Sequence, residues 1–183
     1  MDELKKRCLS CQGCDLAKTR TNVVFGVGPV PSGIVFVGEG PGQNEDLQGE
    51  PFVGLAGQLL DDMLSIIDLS RRNCYIANIV KCRPPHNRDP LLQEQDACIG
   101  YLMEQLAILK PKIIVCLGRI AALRLIDPNF KITRDHGTWT YRDGVFYTAI
   151  YHPSALLRDV NKRPETFTDL LSLRDKAREL ELL

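Results

Sequence analysis

The stretch Val35-Phe36-Val37-Gly38-Glu39-Gly40-Pro41-Gly42 decides the fold of this chain. The residues from Ile34 to Val37 form a short apolar run rich in β-branched side chains, which is typical of a buried strand. The run ends in three glycines and a proline, which predict a tight turn with exposed backbone N–H groups. Open α/β sheets bind ligands in such loops, beyond the carboxyl end of a central strand. An ordinary strand-to-helix turn is the alternative, and the spacing does not match the dinucleotide-binding pattern G-x-G-x-x-G.

The composition of the chain bounds its class. Its 183 residues, of which 44% are hydrophobic, are expected to form one domain over residues 1–183 with a substantial core. The 23 basic and 23 acidic residues create no overall basic field, so nucleic acid would have to bind a local patch. The sequence shows neither a signal peptide nor a membrane-spanning run, and we expect a cytoplasmic protein. Seven cysteines in such a chain favour a metal site or buried thiols over a disulfide framework.

Apolar periodicity predicts that strands and helices alternate along the chain. Strands are predicted at 34–37, 74–80, 112–117 and 145–150, and helices at 56–68, 91–109, 118–125 and from residue 164 onwards. Residues 127–144 show no regular pattern. The alternation predicts an α/β three-layer sandwich with a central, mostly parallel, four-stranded sheet between helices.

Two side chains and one loop stand out among the connections. Phe52 lies between proline and glycine in a polar segment, where an aromatic ring serves either for packing or as a stacking platform. Asn78 lies within the second predicted strand, although asparagine is depleted in strands, and a satisfied turn or core asparagine is the alternative. The proline-stiffened segment 81–90 carries three cations before its single acid. It predicts either a phosphate-binding loop or a solvated one.

The cysteines suggest a metal site. Cys8-x-x-Cys11-x-x-Cys14 opens the chain, and closely spaced thiolates are the ligands that soft metals prefer. No cysteine follows at the fourth position of the bacterial ferredoxin pattern, so the remaining ligands must come from elsewhere. Cys82 and Cys98 could complete a four-thiolate site that clips the amino-terminal segment onto the domain. A redox dithiol is the alternative.

Taken in order, these motifs resemble family 4 uracil-DNA glycosylases, the iron–sulfur branch of the uracil-DNA glycosylase superfamily. The resemblance runs nearly end to end, and its parts are specific only in combination. The matching segments are 11–16 with Arg20, 38–42 with Glu45 and Asp46, 51–54, 78–85, Asn87 with Arg88, Cys98, and 152–158.

The resemblance implies a DNA repair enzyme that flips uracil out of single- or double-stranded DNA and hydrolyses its N-glycosidic bond. A [4Fe–4S] cluster is implied on four cysteines, with zinc as the chemical alternative. These cysteines are Cys11, Cys14, Cys82 and Cys98. Cys8 stands outside this register, and Cys74 and Cys116 are interpreted as inert core thiols. A monomer is expected, and the sequence identifies no replication or repair partner.

The resemblance also implies roles for the uracil-binding residues. His152, as a neutral imidazole, would donate to uracil O2 and stabilise the leaving anion. Phe52 would stack on the flipped base, and the N–H groups around Gly40 would reach a uracil oxygen. Asn78 would recognise O4 and N3–H, and Glu45 would fill the space that a thymine methyl group needs.

The water-activating aspartate of the superfamily's best-known branch corresponds to Gly40 here, which leaves Glu39 and Asn87 as water-positioning candidates. The loop around His86 lacks the basic insertion of a branch that traps its product covalently, so no crosslink is expected. Three arginines are expected to bind DNA: Arg83, Arg88 and Arg158.

Two other functions stay open on the sequence. One is a non-catalytic iron–sulfur module for DNA binding or repair with the same fold. The other is a glycosylase for another deaminated base. Activity on a uracil-containing oligonucleotide separates the first of these from an enzyme.

Overall fold

A computed structural model describes all 183 residues of the chain. Its apolar runs assemble into one five-stranded sheet with the order β2-β1-β3-β5-β4. The strands are β1 (Ile34–Gly38), β2 (Tyr75–Asn78), β3 (Ile113–Leu117), β4 (Thr140–Arg142) and β5 (Val145–Ile150). Strands β1, β2, β3 and β5 pair in parallel, and β4 pairs with β5 in the antiparallel sense. Every residue of the first three strands is buried, as expected for a sheet that is covered on both faces.

Eight α-helices surround the sheet, and none combines the length and apolar character that crossing a lipid bilayer requires. They are α1 (Asp2–Leu9), α2 (Gln43–Gln48), α3 (Leu55–Ile66), α4 (Leu92–Leu109), α5 (Arg119–Leu125), α6 (Ile132–Asp135), α7 (Pro153–Arg158) and α8 (Arg163–Glu179). Short 3-10 helices lie at Asp15–Lys18, Pro85–Asn87 and Val160–Lys162.

The core has two halves, one on each face of the sheet. Val35 and Val37 of β1 pack into the half that α1, α4 and α5 cover. Ile34 and Phe36 point to the opposite face, into the half that α3, α7 and α8 cover. This alternation follows from the two-residue period of a strand. It confirms the predicted α/β sandwich of three layers with a mostly parallel sheet.

The sequence prediction missed one strand. The predicted sheet had four strands, and residues 127–144 were interpreted as irregular, whereas β4 lies at their end. Strand β4 has only three residues and its Tyr141 is exposed, so it leaves no apolar alternation to detect. The detectable signal was the pair Asp143-Gly144, which joins β4 to β5 with positive φ at both residues. Asp-Gly is a favoured pair for such two-residue hairpin turns.

The helical glycines of α3 and α4 give a matched test of the packing. A Cβ atom at Gly57 in α3 would lie 1.7 Å from the carbonyl oxygen of Phe52, so Gly57→Ala must displace that backbone. We expect it to lower the free energy of unfolding by about 1–3 kcal/mol, the usual cost of overpacking. Urea unfolding measures the change.

Gly100→Ala is the control, because a Cβ atom at Gly100 in α4 would meet nothing within 4 Å. There the loss of glycine's backbone freedom should raise the free energy of unfolding by about 0.5–1 kcal/mol. Equal stability of the two variants would contradict the proposed close contact between α3 and Phe52.

Candidate active site and metal centre

A cleft of about 490 Å³ opens where the parallel strands end. Parallel strands present their carboxyl ends at one edge of the sheet, so the residues that follow β1, β2, β3 and β5 meet there. The cleft gathers nearly all the side chains that the sequence predicted for base and DNA binding. Those in its lining are Glu39, Gly40, Glu45, Phe52, Asn78, Asn87, Arg88, His152 and Arg158. Arg83 lies outside the lining.

Asn78 carries a buried polar atom with no protein partner. The residue is 2% exposed, and its Oδ1 atom accepts no hydrogen bond. A Cβ atom at Gly38 would lie 2.4 Å from this Oδ1 and 2.7 Å from Cζ of Phe52, so only glycine fits beneath the pair. A buried acceptor without a donor costs about 1–3 kcal/mol. Asn78 is therefore not a satisfied core asparagine, and its free acceptor is available to a ligand in the cleft.

Phe52 is held in a strained position over the cleft. Its backbone has φ of 55°, and its ring centroid lies 5.5 Å from that of His152. Arg71 secures the segment by donating to the carbonyl oxygen of Pro51 at 2.9 Å and to that of Phe52. Asp61 in turn pairs with Arg71 at 2.7 Å. The sequence offered no signal for this clamp, because Arg71 lies in an unremarkable polar turn.

Glu45 connects the glycine turn to the Phe52 segment. Its Oε2 accepts from the backbone N–H of Gly42 at 3.1 Å, and its Oε1 accepts from those of Val53 at 2.9 Å and Gly54 at 3.1 Å. The carboxylate thus serves three backbone donors while lining the cleft. Its predicted role against a thymine methyl group stays a prediction.

His152 is built as a neutral hydrogen-bond donor. Its Nδ1 accepts from the backbone N–H of Ser154 at 3.1 Å, which leaves the proton on Nε2. Burial, with help from the charge of Arg158, lowers the pKa of His152 to about 4. Gly118, at φ of 88°, admits the ring, since a Cβ atom there would lie 2.8 Å from Cβ of His152. The imidazole is therefore neutral at physiological pH.

Glu39 lines the cleft with a carboxyl group whose pKa lies near neutrality. Burial and the negative charge of Asp89 raise the pKa of Glu39 to about 7, while Arg119 and Arg158 oppose the shift. Asn87, the second water-positioning candidate, lies in the same cleft and accepts from Nε of Arg83 at 2.7 Å. Sequence reasoning missed Arg119, which follows β3 and pairs with Asp89 at 2.5 Å.

The loop at residues 81–90 offers fewer free cations than its composition indicates. Lys81 is 1% exposed and donates inside the protein, so its inclusion among the loop's phosphate-binding cations was wrong. Arg88 makes two hydrogen bonds to the buried carboxylate of Glu94, at 2.8 and 2.7 Å. Arg83 is half-buried, and Arg158 lies across the cleft beside Glu39.

Five cysteines, all of them unpaired thiols, line a second cavity between the amino-terminal segment and α4. They are Cys8, Cys11, Cys14, Cys82 and Cys98. Cys74 and Cys116 lie elsewhere in the core, where burial raises the pKa of both thiols, as expected for inert residues.

Nitrogen donors surround the cysteine cavity. Arg20 Nη1 donates to Sγ of Cys82 at 3.2 Å. The backbone N–H of Lys81 donates to Sγ of Cys98 at 3.3 Å, and that of Gly13 donates to Sγ of Cys11 at 3.4 Å. Such bonds stabilise negatively charged sulfur. Three of the four predicted ligand sulfurs therefore have the surroundings that a thiolate-bound metal group needs.

Comparison with known proteins identifies the family to which this sequence is similar. The family model of the uracil DNA glycosylase superfamily matches residues 25–173, which include every cleft residue described above. Type-4 uracil-DNA glycosylases from Archaeoglobus fulgidus and Thermotoga maritima are 48% identical over 179 residues and 44% identical over 163 residues. These alignments cover 92% and 87% of this chain, and 89% and 84% of the relatives.

The type-4 uracil-DNA glycosylase of Sulfurisphaera tokodaii is 42% identical over 186 residues. That alignment covers 84% of the relative and 97% of this chain, enough to include Cys11 and Cys14, which precede the superfamily match. The chain belongs to the uracil DNA glycosylase superfamily and, within it, to the type-4 family.

Proposed function

We propose that this protein hydrolyses the bond between uracil and deoxyribose in DNA, releasing free uracil and leaving an abasic site. The observation that carries the proposal is the buried, unpaired Oδ1 of Asn78, beside the ring of Phe52 in the cleft. The relatives at 42–48% identity are named uracil-DNA glycosylases. Their names favour an enzyme over a non-catalytic module of the same fold.

Base recognition follows from the chemistry of the Asn78 amide. Uracil presents an acceptor at O4 and a donor at N3–H, and a carboxamide offers the matching donor and acceptor. Cytosine presents the opposite pair, so an amide that is held in one orientation discriminates against it. Phe52 stacks on the flipped base, and the bare backbone at Gly40 donates to a uracil oxygen.

His152 stabilises the leaving group. Cleavage of the glycosidic bond leaves negative charge on the uracil oxygens, and catalysis comes mainly from donors placed where this charge develops. The neutral Nε2–H of His152 donates to O2 without giving up its proton. Glu39 and Asn87 position the water that attacks the sugar, and the cations beside the cleft bind the phosphates of the DNA strand.

The cysteine cavity fits a [4Fe–4S] cluster held by Cys11, Cys14, Cys82 and Cys98. The donor set is all sulfur, and three of the four sulfurs accept hydrogen bonds from nitrogen. When bound, the cluster joins the amino-terminal segment to α4 and to the loop after β2. No cysteine lies in the cleft, so this role is structural.

The first prediction is that leaving-group stabilisation by His152 contributes more to the excision rate than water positioning by Glu39 does. His152→Ala should lower the single-turnover rate of uracil excision by about 10²–10³, the usual cost of losing one oxyanion donor. DNA affinity should be nearly unchanged, because the imidazole acts on the base. Glu39→Gln should cost less. A larger loss for Glu39→Gln would show that water activation, and not leaving-group stabilisation, dominates.

The pH profile is the control for Glu39. The Glu39 carboxylate forms as the pH rises through about 7, so excision should increase from about pH 6 to 8 and then level off. Asp89→Asn removes a negative charge that raises the pKa of Glu39, and should therefore move the profile to lower pH. A profile that Glu39→Gln leaves unchanged would exclude Glu39 from the rate-determining step.

The second prediction tests whether the Asn78 amide recognises uracil. Asn78→Ala should remove most uracil excision because both base contacts are lost. Asn78→Asp should also lose uracil excision, since a carboxylate repels uracil O4. It should gain weak excision of cytosine, because the carboxylate can accept a hydrogen bond from the cytosine amino group. Matched oligonucleotides with uracil or cytosine at one position measure both rates. Full uracil activity in both variants would exclude Asn78 as the recognition residue.

The third prediction tests which cysteines bind the cluster. Cys11→Ala and Cys98→Ala should lose iron and visible absorption together with stability, because each removes one proposed ligand. Cys8→Ala is the matched control and should keep its iron, although Cys8 lines the same cavity. Iron content per protein and thermal unfolding measure these effects. Iron loss in Cys8→Ala with retention in Cys11→Ala would replace Cys11 by Cys8 in the ligand set.

A further inference from the structure

Lys81 is the only lysine of the chain whose side chain is buried, at 1% exposure. Its ammonium nitrogen donates to the carbonyl oxygen of Asn78 at 3.0 Å and to Oε1 of Gln105 at 2.6 Å. Both acceptors are neutral, and no carboxylate forms a salt bridge with this nitrogen. A buried cation without a counter-charge is costly, so a protein that retains one gains something specific from it.

The second acceptor is itself fixed. Gln105 of α4 is fully buried, and its Nε2 donates to the carbonyl oxygen of Phe25 at 2.9 Å and to the hydroxyl of Tyr75 at 3.2 Å. These bonds determine which way the Gln105 amide faces, and thereby where its oxygen holds the Lys81 nitrogen. The chain of contacts runs from the body of α4 to the main chain of Asn78.

Asn78 is the last residue of β2, where the chain leaves the sheet. The ladder holds it on one side, in register with Gly38, while Lys81 holds its carbonyl group. The orientation of a peptide plane sets the direction of the side chain next to it. The Lys81 contact therefore acts on the residue whose unpaired Oδ1 enters the cleft, although Lys81 does not line the cleft.

Lys81 also borders the cysteine cavity. Lys81 lines this cavity, its backbone N–H donates to Sγ of Cys98, and Cys82 is its neighbour in the chain. One lysine thus lies between the metal centre and the base-recognition residue.

We propose that Lys81 is a positioning residue for uracil recognition: its side-chain nitrogen, held by Gln105, fixes the Asn78 carbonyl and so orients the amide. The inference rests on the proposed function, because it takes Asn78 as the residue that recognises the base. It assigns a use in base selection to a side chain that never touches the substrate.

The test measures base discrimination in binding, not turnover. Oligonucleotides carry 2′-fluoro-deoxyuridine or 2′-fluoro-deoxycytidine at one position, since the fluorine suppresses cleavage and leaves the base unchanged. Lys81→Met keeps the length of the side chain and removes the donor. We expect its ratio of cytosine to uracil Kd to fall about tenfold from the wild-type ratio. Its affinity for undamaged DNA should stay near wild type. Lys112→Met, at an exposed lysine, is the matched control and should keep the ratio.

Gln105→Met is the second variant, and it tests the proposal even if Lys81→Met does not fold. Gln105 lines neither cavity, so a fall of about threefold in the same ratio would show that the effect travels through Lys81. A lower unfolding temperature with an unchanged ratio in the folded variants would overturn the proposal and leave Lys81 a purely structural residue. Wild-type protein that does not prefer uracil would instead refute the proposed function itself.

Discussion

The parallel pairing of β1 with β2, in the register that sets Gly38 opposite Asn78, is the constraint on which the site depends. Successive residues of a strand face opposite sides of the sheet, so a slip of one position would turn the Asn78 amide away from the cleft. The absence of a Cβ atom at Gly38 leaves the space that Asn78 and the ring of Phe52 share. One strand pair therefore places the glycine turn, the amide and the aromatic ring together.

Two charged side chains, Glu45 and Arg71, hold the segments that surround the cleft in the positions that this strand register gives them. Glu45 accepts from backbone donors on both sides of the cleft mouth, and Arg71 holds the carbonyl groups around Phe52. A residue such as Phe52, with positive φ, is strained by about 1–3 kcal/mol and persists only where its surroundings hold it. The hydrogen bonds of Glu45 and Arg71 supply that restraint, so the protein itself holds the ring of Phe52 in place at the cleft.

The short segment from Asn78 to Cys82 joins the cleft to the cysteine cavity. It begins with the unpaired amide at the end of β2, and it ends with a proposed ligand whose sulfur accepts from Arg20. The buried Lys81 between them bonds to the main chain of Asn78. Because the segment is so short, a distortion at the cysteines reaches the cleft through very few bonds. The cysteine cavity is thus connected to the cleft without contributing a side chain to its lining.

The sequence alone determined four of the five strands, four of the eight helices, the glycine turn and the cysteine pattern, because each depends on residues that are close together in the chain. Strand β5 and helix α5 lie where the apolar periodicity predicted them, whereas β2 ends at Asn78, two residues before the predicted end at residue 80. The side chains predicted for base and DNA binding, except Arg83, also meet in one cleft, since the ends of parallel strands share one edge of the sheet.

Tertiary structure alone decided the hydrogen-bond partners of three charged side chains. The sequence indicated that Arg88 and Lys81 are free cations. In the structure Arg88 is bonded to a carboxylate of α4, and Lys81 is buried. The clamp by Arg71 likewise depends on a contact between separate turns. The physical reason is common to all three. The state of a charged group is set by its burial and its partners, and those come from parts of the chain that only folding brings together.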